Sequence, residues 1–199
     1  MRAVLFFLLS QIAATSLAAQ GHPCVVPGRG HFQIHVGTGG LFGAFAHDHL
    51  VEAQKIEGCA VLDPQDLTRS SIKLTFAAAS LRVLDPNESE KDRASVQTNM
   101  ETEVLRISEF PDVVFESTSI ERRGSDSALI VHGNLTIRDK TQAIVLPLTF
   151  SPQTDGTFRV TGKYKFKQTA FGIKPIQLAA GTIKVKDELQ TDFEIFLKN

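Results

Sequence analysis

The reactive side chains of this sequence gather first at His47-Asp48-His49. Residues two apart on an extended segment point the same way, so two imidazoles there could reach one Zn²⁺ or Cu²⁺. His31 and His35 share a phase on a neighbouring stretch, and His132 is placed by nothing local. Two imidazoles fall short of the three or four protein ligands of a zinc site, so a solvated turn is the competing reading. Ser117, Ser119, Asp48 and His132 supply the residue types of nucleophilic catalysis but no nucleophile elbow or other spaced motif. Gly37-Thr38-Gly39-Gly40 is glycine-rich but opens no helix of a βαβ unit, so it is no phosphate or dinucleotide loop. These absences point away from an enzyme. Lys163, Lys165 and Lys167, with Lys184 and Lys186, form a basic stripe. It reads as a solvated strand surface that resists edge pairing, or as an attraction to anionic lipid.

The elements that must carry these groups are strands. Phe158, Val160, Gly162, Tyr164 and Phe166 alternate with Arg159, Thr161, Lys163, Lys165 and Lys167. That is one dry face and one wet face at strict period two. Ile72, Leu74 and Phe76 repeat the pattern, as do Leu129 to Ile137, Ile144 to Phe150, and Leu189 to Leu197. Eight strands are expected, near 31–37, 51–62, 70–77, 112–121, 127–138, 140–150, 157–169 and 182–197. Pro147 inside one of them requires an edge, a bulge or a position that donates nothing. Between Asp85-Pro86 and Phe110-Pro111 the pattern changes. Val96, Met100, Val104 and Leu105 take helical spacing, with acidic residues in the first turn, which predicts a helix or two short ones over about 88–107.

Amphipathic antiparallel strands with one helix pack as a sandwich or close into a barrel. Closure removes edges, and eight strands leave an interior that side chains fill or that holds one small ligand. Gly133, Gly162 and Ser117 at inward positions subtract volume and favour a cavity. The 199 residues fit one domain. A net charge of −1 excludes the broad basic field that nucleic acid would select. With 14 Phe, one Tyr and no Trp, the aromatic inventory suits a core or a greasy pocket.

Arg2, the apolar run Ala3 to Leu9 and the small residues Ser16 and Ala18 follow the secretory pattern. Residues 1–19 are therefore expected to be a signal peptide, 20–30 an arm rich in Gly and Pro, and 31–199 the domain. The protein would then be periplasmic or secreted. In such an oxidising compartment Cys24 and Cys59 favour a disulfide, worth about 3–4 kcal/mol in the loop-entropy model.

A spaced series of motifs resembles the YceI-like family, the bacterial polyisoprenoid-binding proteins. It comprises Phe32-Gln33-Ile34 with Gly43-Ala44-Phe45, then Glu90-Lys91-Asp92-Arg93, then Leu105 to Ser117 with its Phe-Pro and Phe-x-Ser. Gly133-Asn134-Leu135-Thr136-Ile137 with Lys140-Thr141, and Phe171-Gly172-Ile173, complete it. The resemblance runs from about His31 to Leu197. It implies an eight-stranded antiparallel lipocalin-like barrel with one helical insertion. It also implies an exported, non-enzymatic protein that encloses an isoprenoid lipid, a quinone or a polyprenyl precursor. No cofactor beyond that lipid is expected. Nucleic acid is not expected as a partner, and transient membrane contact and a homodimer stay open.

The expected lining is Leu74, Phe76, Phe115, Leu148, Phe150, Tyr164, Phe166, Phe193 and Ile195, with Phe171 and His47 at the mouth. Two alternatives stand beside this reading. One is a ligand-free structural or stress-related β-sandwich, and the other is a periplasmic metal-binding module using His47 and His49.

Overall fold

A computed structural model of the chain describes residues 22–40, 47–124 and 127–199, the side chains of 178 and 179 apart. The expected signal peptide and the Gly43-Ala44-Phe45 motif lie outside the described residues. The strands are β1 (Cys24–Gly39), β2 (His49–Ala53), β3 (Ile56–Val61), β4 (Ser71–Ala77) and β5 (Leu81–Val83), then β6 (Asp112–Arg122), β7 (Ala128–Ile137), β8 (Lys140–Pro152), β9 (Phe158–Lys167), β10 (Gln177–Leu178) and β11 (Ile183–Lys198). Among the described residues one α-helix, α1 (Glu90–Asn99), continues into a single wider turn over Met100–Val104.

Eight strands close the ring, in the order β1-β3-β4-β6-β7-β8-β9-β11 and back to β1. All their pairings are antiparallel. β2 and β3 are two halves of one interrupted strand beside β1, and β4 and β5 are two halves of the next. These two mergers, with the two-residue β10 set aside as an addition to β11 outside the ring, reduce the eleven segments to the eight strands of the barrel. β1 begins at Cys24, inside the stretch expected as an arm, because a register shift between Val25 and Gly30 absorbs its glycines. Gly30 is indispensable there: its φ is +90°, and a Cβ would lie 2.0 Å from the Glu194 carbonyl oxygen.

The ring has two unlike ends. At one end lie the Cys24–Cys59 disulfide, the 62–70 and 153–157 connections, the close of β6, the opening of β7 and the close of β11. At the other lie the close of β1, the opening of β2, the whole 84–111 excursion with α1, the tight Arg138-Asp139 turn and the 168–182 segment. Pro147 pairs with Ile130 of β7, while the β8–β9 ladder stops beside it, at Leu148↔Gly162. The imide nitrogen thus sits where β8 has no ladder partner on its far side, as a proline in a strand requires.

Ser89 caps α1 by accepting the Asp92 N–H at 3.1 Å, and Glu90 and Asp92 sit in the first turn, where the helix dipole favours them. In the wider turn the Leu105 N–H donates to Met100 O at 2.8 Å, five residues back. The helix is docked largely by polar bonds. Gln97 accepts the Val83 N–H at 2.9 Å and donates to Leu81 O at 2.8 Å, and Arg93 donates to Glu88 O at 2.7 Å.

Candidate ligand-binding cavity

The interior divides along the barrel axis. At the disulfide end Ala60, Leu62, Ile120, Leu129, Phe150 and Leu197 pack together, and the Phe150 and Phe158 rings stack with centroids 5.2 Å apart. Above this plug, although the Phe32 and Phe76 rings touch with centroids 4.7 Å apart, the inward faces draw apart on most sides. They enclose a cavity of about 290 Å³ that reaches the underside of α1. That volume falls near the lower end of the ~300–1,000 Å³ common for small-molecule sites.

β4, β6 and β8 contribute Leu74, Phe76, Phe115 and Leu148, and β9 and β11 contribute Tyr164, Phe166, Phe193 and Ile195. All eight were in the expected lining, seven of them on the runs of alternation and Phe115 outside those runs. Phe150 shares their face but lies too low, 8% exposed within the plug, and is not part of the cavity wall. Phe171, expected at the mouth, is at the helix end but only 1% exposed. It packs with Ile137 and Ile173 and meets the Phe166 ring edge-on at 5.7 Å, so it supports the wall from behind. His47 also misses the cavity: its side chain is 70% exposed and its Nε2 lies 3.3 Å from Glu88 Oε1.

The inward glycines act differently from the expectation that they leave empty volume. A Cβ on Gly162 would come within 2.6 Å of the Phe193 ring, and one on Gly133 within 2.6 Å of the Phe115 ring. Each glycine lets a neighbouring aromatic lie flat on the sheet, an arrangement that covers bare backbone with apolar surface. The lumen stays open because the rings hug its wall. Ser117 accepts the Ile72 N–H through its Oγ at 2.9 Å, beside a register shift in the β6–β7 ladder.

Among the parts of the wall that sequence reasoning missed, two stand out, beside contributions from β2, β5, β7 and the segment after β9. Phe32, Ile34 and Val36 line it from β1, and their alternation with Gln33 and His35 was the available signal. Val96, Asn99, Met100, Val104 and Leu105 roof it. The helical spacing of four of these was legible, but nothing local said that the helix would fold over an opening.

Few polar groups face the cavity. They are His49, Asn99, Gln168, Thr191 and Tyr164. Thr191 Oγ1 donates to Tyr164 O at 3.3 Å, and Gln168 Nε2 donates to Lys186 O at 2.9 Å. Burial pushes the Tyr164 phenol above its ordinary pKa. His49 holds Asp85, with Nδ1 to Oδ2 at 2.6 Å. His47 and His49 thus have separate carboxylate partners, and among the described residues no three His, Cys, Asp or Glu side chains converge as a metal site. Asp48, between them, accepts the Thr38 N–H at 2.7 Å; that bond holds its carboxyl below the usual range.

Outside the barrel, Asp192 on β11 bridges His31, 3.2 Å away, and His35 on β1. Burial raises the Asp192 pKa, but the hydrogen bonds and charges of the two imidazoles outweigh it, so the net shift is downward.

Known proteins resemble this chain in sequence and shape. Residues 30–197 match the family described as YceI-like domain. The Protein YceI of Salmonella arizonae and that of Salmonella paratyphi B are each 26% identical to it over 140 residues, 67% of this chain. The match spans 64% of the length of these curated relatives. Among solved structures, Burkholderia cenocepacia BcnA superposes with a TM-score of 0.69 at 18% identity, over 86% of this chain and 98% of that one. A polyisoprenoid binding domain from Saccharophagus degradans, implicated in plant cell wall breakdown, superposes with a TM-score of 0.62 at 10% identity, over 90% and 99%. At such identities the likeness concerns the fold.

Proposed function

The chain belongs to the YceI-like domain family, and from that premise we propose that it is a non-enzymatic binding protein that holds an isoprenoid-type lipid in its barrel. The observation that carries the reading is the cavity of about 290 Å³, walled by hydrocarbon and roofed by α1. A prenyl chain is an apolar rod, and each methylene-sized unit moved from water into such a wall gains about 0.8 kcal/mol. A quinone and a polyprenyl precursor both carry that rod. The polyisoprenoid binding named for the Saccharophagus degradans domain supports the same ligand class.

The secretory pattern of residues 1–19 supports export to the periplasm or the exterior, where a soluble carrier would move a lipid that cannot cross water alone. The disulfide fits that compartment. The outward lysines 163, 165 and 167 would favour brief contact with an anionic membrane during loading.

Native mass spectrometry of the purified protein, with organic extraction of what it carries, tests the reading. A released prenyl lipid is the expected result. A bound metal would favour the His47/His49 module instead. A protein that is empty and takes up no prenyl lipid would favour a purely structural barrel.

A further inference from the structure

One point of the cavity wall has its hydrogen-bonding sense fixed by the fold. His49 lines the cavity, and its Nδ1 lies 2.6 Å from Oδ2 of Asp85, whose side chain is only 4% exposed. The other Asp85 oxygen accepts the Leu50 N–H at 2.8 Å, and the Leu84 N–H returns to Leu50 O at 2.8 Å. The carboxylate is therefore pinned between β2 and the segment after β5. An ionised carboxylate only accepts hydrogen bonds, so the proton of the shared contact belongs to Nδ1. That sets the tautomer: in the neutral ring Nε2 carries a lone pair and no hydrogen. Among the described residues the ring makes no hydrogen bond other than that to Asp85.

The remaining polar wall groups impose no such sense. Thr191 and Gln168 spend donors on backbone carbonyls. Asn99 and the Tyr164 hydroxyl can each donate or accept. A group entering beside His49 is thus selected for one property, a proton to donate.

We propose that His49 Nε2 accepts a hydrogen bond from a hydroxyl-terminated lipid, a prenol or a hydroquinone, whose chain occupies the cavity. The inference rests on the lipid-binding reading above and adds the head group to it. An ether or quinone oxygen at the same place offers only lone pairs and meets the Nε2 lone pair without a bond.

Titration calorimetry with farnesol and farnesyl methyl ether, which share a chain and differ in the one proton, tests this. The measurement is made at about pH 8, above the ordinary imidazole range. The protein should bind the alcohol up to about tenfold more tightly, the scale of one net hydrogen bond. His49→Phe should remove the preference while still binding both chains. His47→Ala, which alters a side chain outside the cavity, should keep it. Equal affinities of the unaltered protein for alcohol and ether would overturn the head-group assignment, whatever His49→Phe does to folding. Binding of neither chain would overturn the lipid-binding reading and this inference with it.

Discussion

The two ends of the barrel are built from the same strands and solve opposite problems. At the disulfide end the inward side chains reach one another. Phe150 stacks on Phe158, Leu197 is 1% exposed, and Cys24–Cys59 ties the edge of β1 to β3. At the helix end the same alternation lines a hollow, and the roof is held by hydrogen bonds between Gln97 and β5 together with the apolar contacts of Met100, Val104 and Leu105. The contrast locates stability at one end and access at the other. Inward and outward alternation alone builds neither. What decides is the height of a residue along the axis and what covers the end above it.

The sharpest way to break the comparison is one deletion in each region. Phe150→Ala should cost about 3–5 kcal/mol, as large-to-small changes in a packed core do. Phe166→Ala, which trims the wall of an existing hollow, should cost under about 2 kcal/mol and should instead lower retained lipid. Urea unfolding of both variants, with lipid extraction, checks this, and equal losses of stability would erase the distinction between plug and cavity. Replacing Cys24 and Cys59 together by Ser should lower stability by about 3 kcal/mol and leave lipid retention in the folded protein unchanged. Gly162→Ala should push the Phe193 ring off the sheet into the lumen. It should cost about 1–3 kcal/mol, as overpacking does, and weaken chain binding, which calorimetry would detect.

The smallest effect concerns acid. The Asp192 pKa is depressed in the folded protein, so its contribution to the β1–β11 seam is present above the ordinary carboxylate value of about 4 and fades as pH falls through that range. Asp192→Asn lacks that contribution throughout. The gap in urea midpoint between the two proteins should therefore narrow as the pH drops below about 4.

Much of this molecule was legible in its sequence, and the losses share one cause. Period two reports the face of a strand, so seven true wall residues, Leu74, Phe76, Leu148, Tyr164, Phe166, Phe193 and Ile195, could be read from alternation. It does not report height, and Phe150, which has the same parity as Leu148, fell into the plug. Phe171 sits in a short turn of 3-10 helix after β9, where alternation says nothing. His47 and His49 have equal parity, but only His49 is in a strand; Asp85, its distant partner, could not be found from spacing. The interruption at Gln54-Lys55 leaves the apolar pattern almost unchanged, so the run 51–62 was read through it; the run 70–77 ended where β4 does, and the three-residue β5 beyond it was too short to show alternation. The glycines were noticed but misjudged, because the rings they admit come from strands adjacent in space, not in sequence.

The pairing of β1 with β11, from Cys24↔Lys198 to Gly39↔Lys184, has a consequence for how the molecule comes into being. The ladder that shuts the ring joins the opening strand to the closing one, so a chain delivered from its N-terminal side cannot seal until its last sixteen-residue strand arrives. Pairings so remote in sequence make assembly slow. Until then β1 and β9 each expose a bare edge on which another chain could zip.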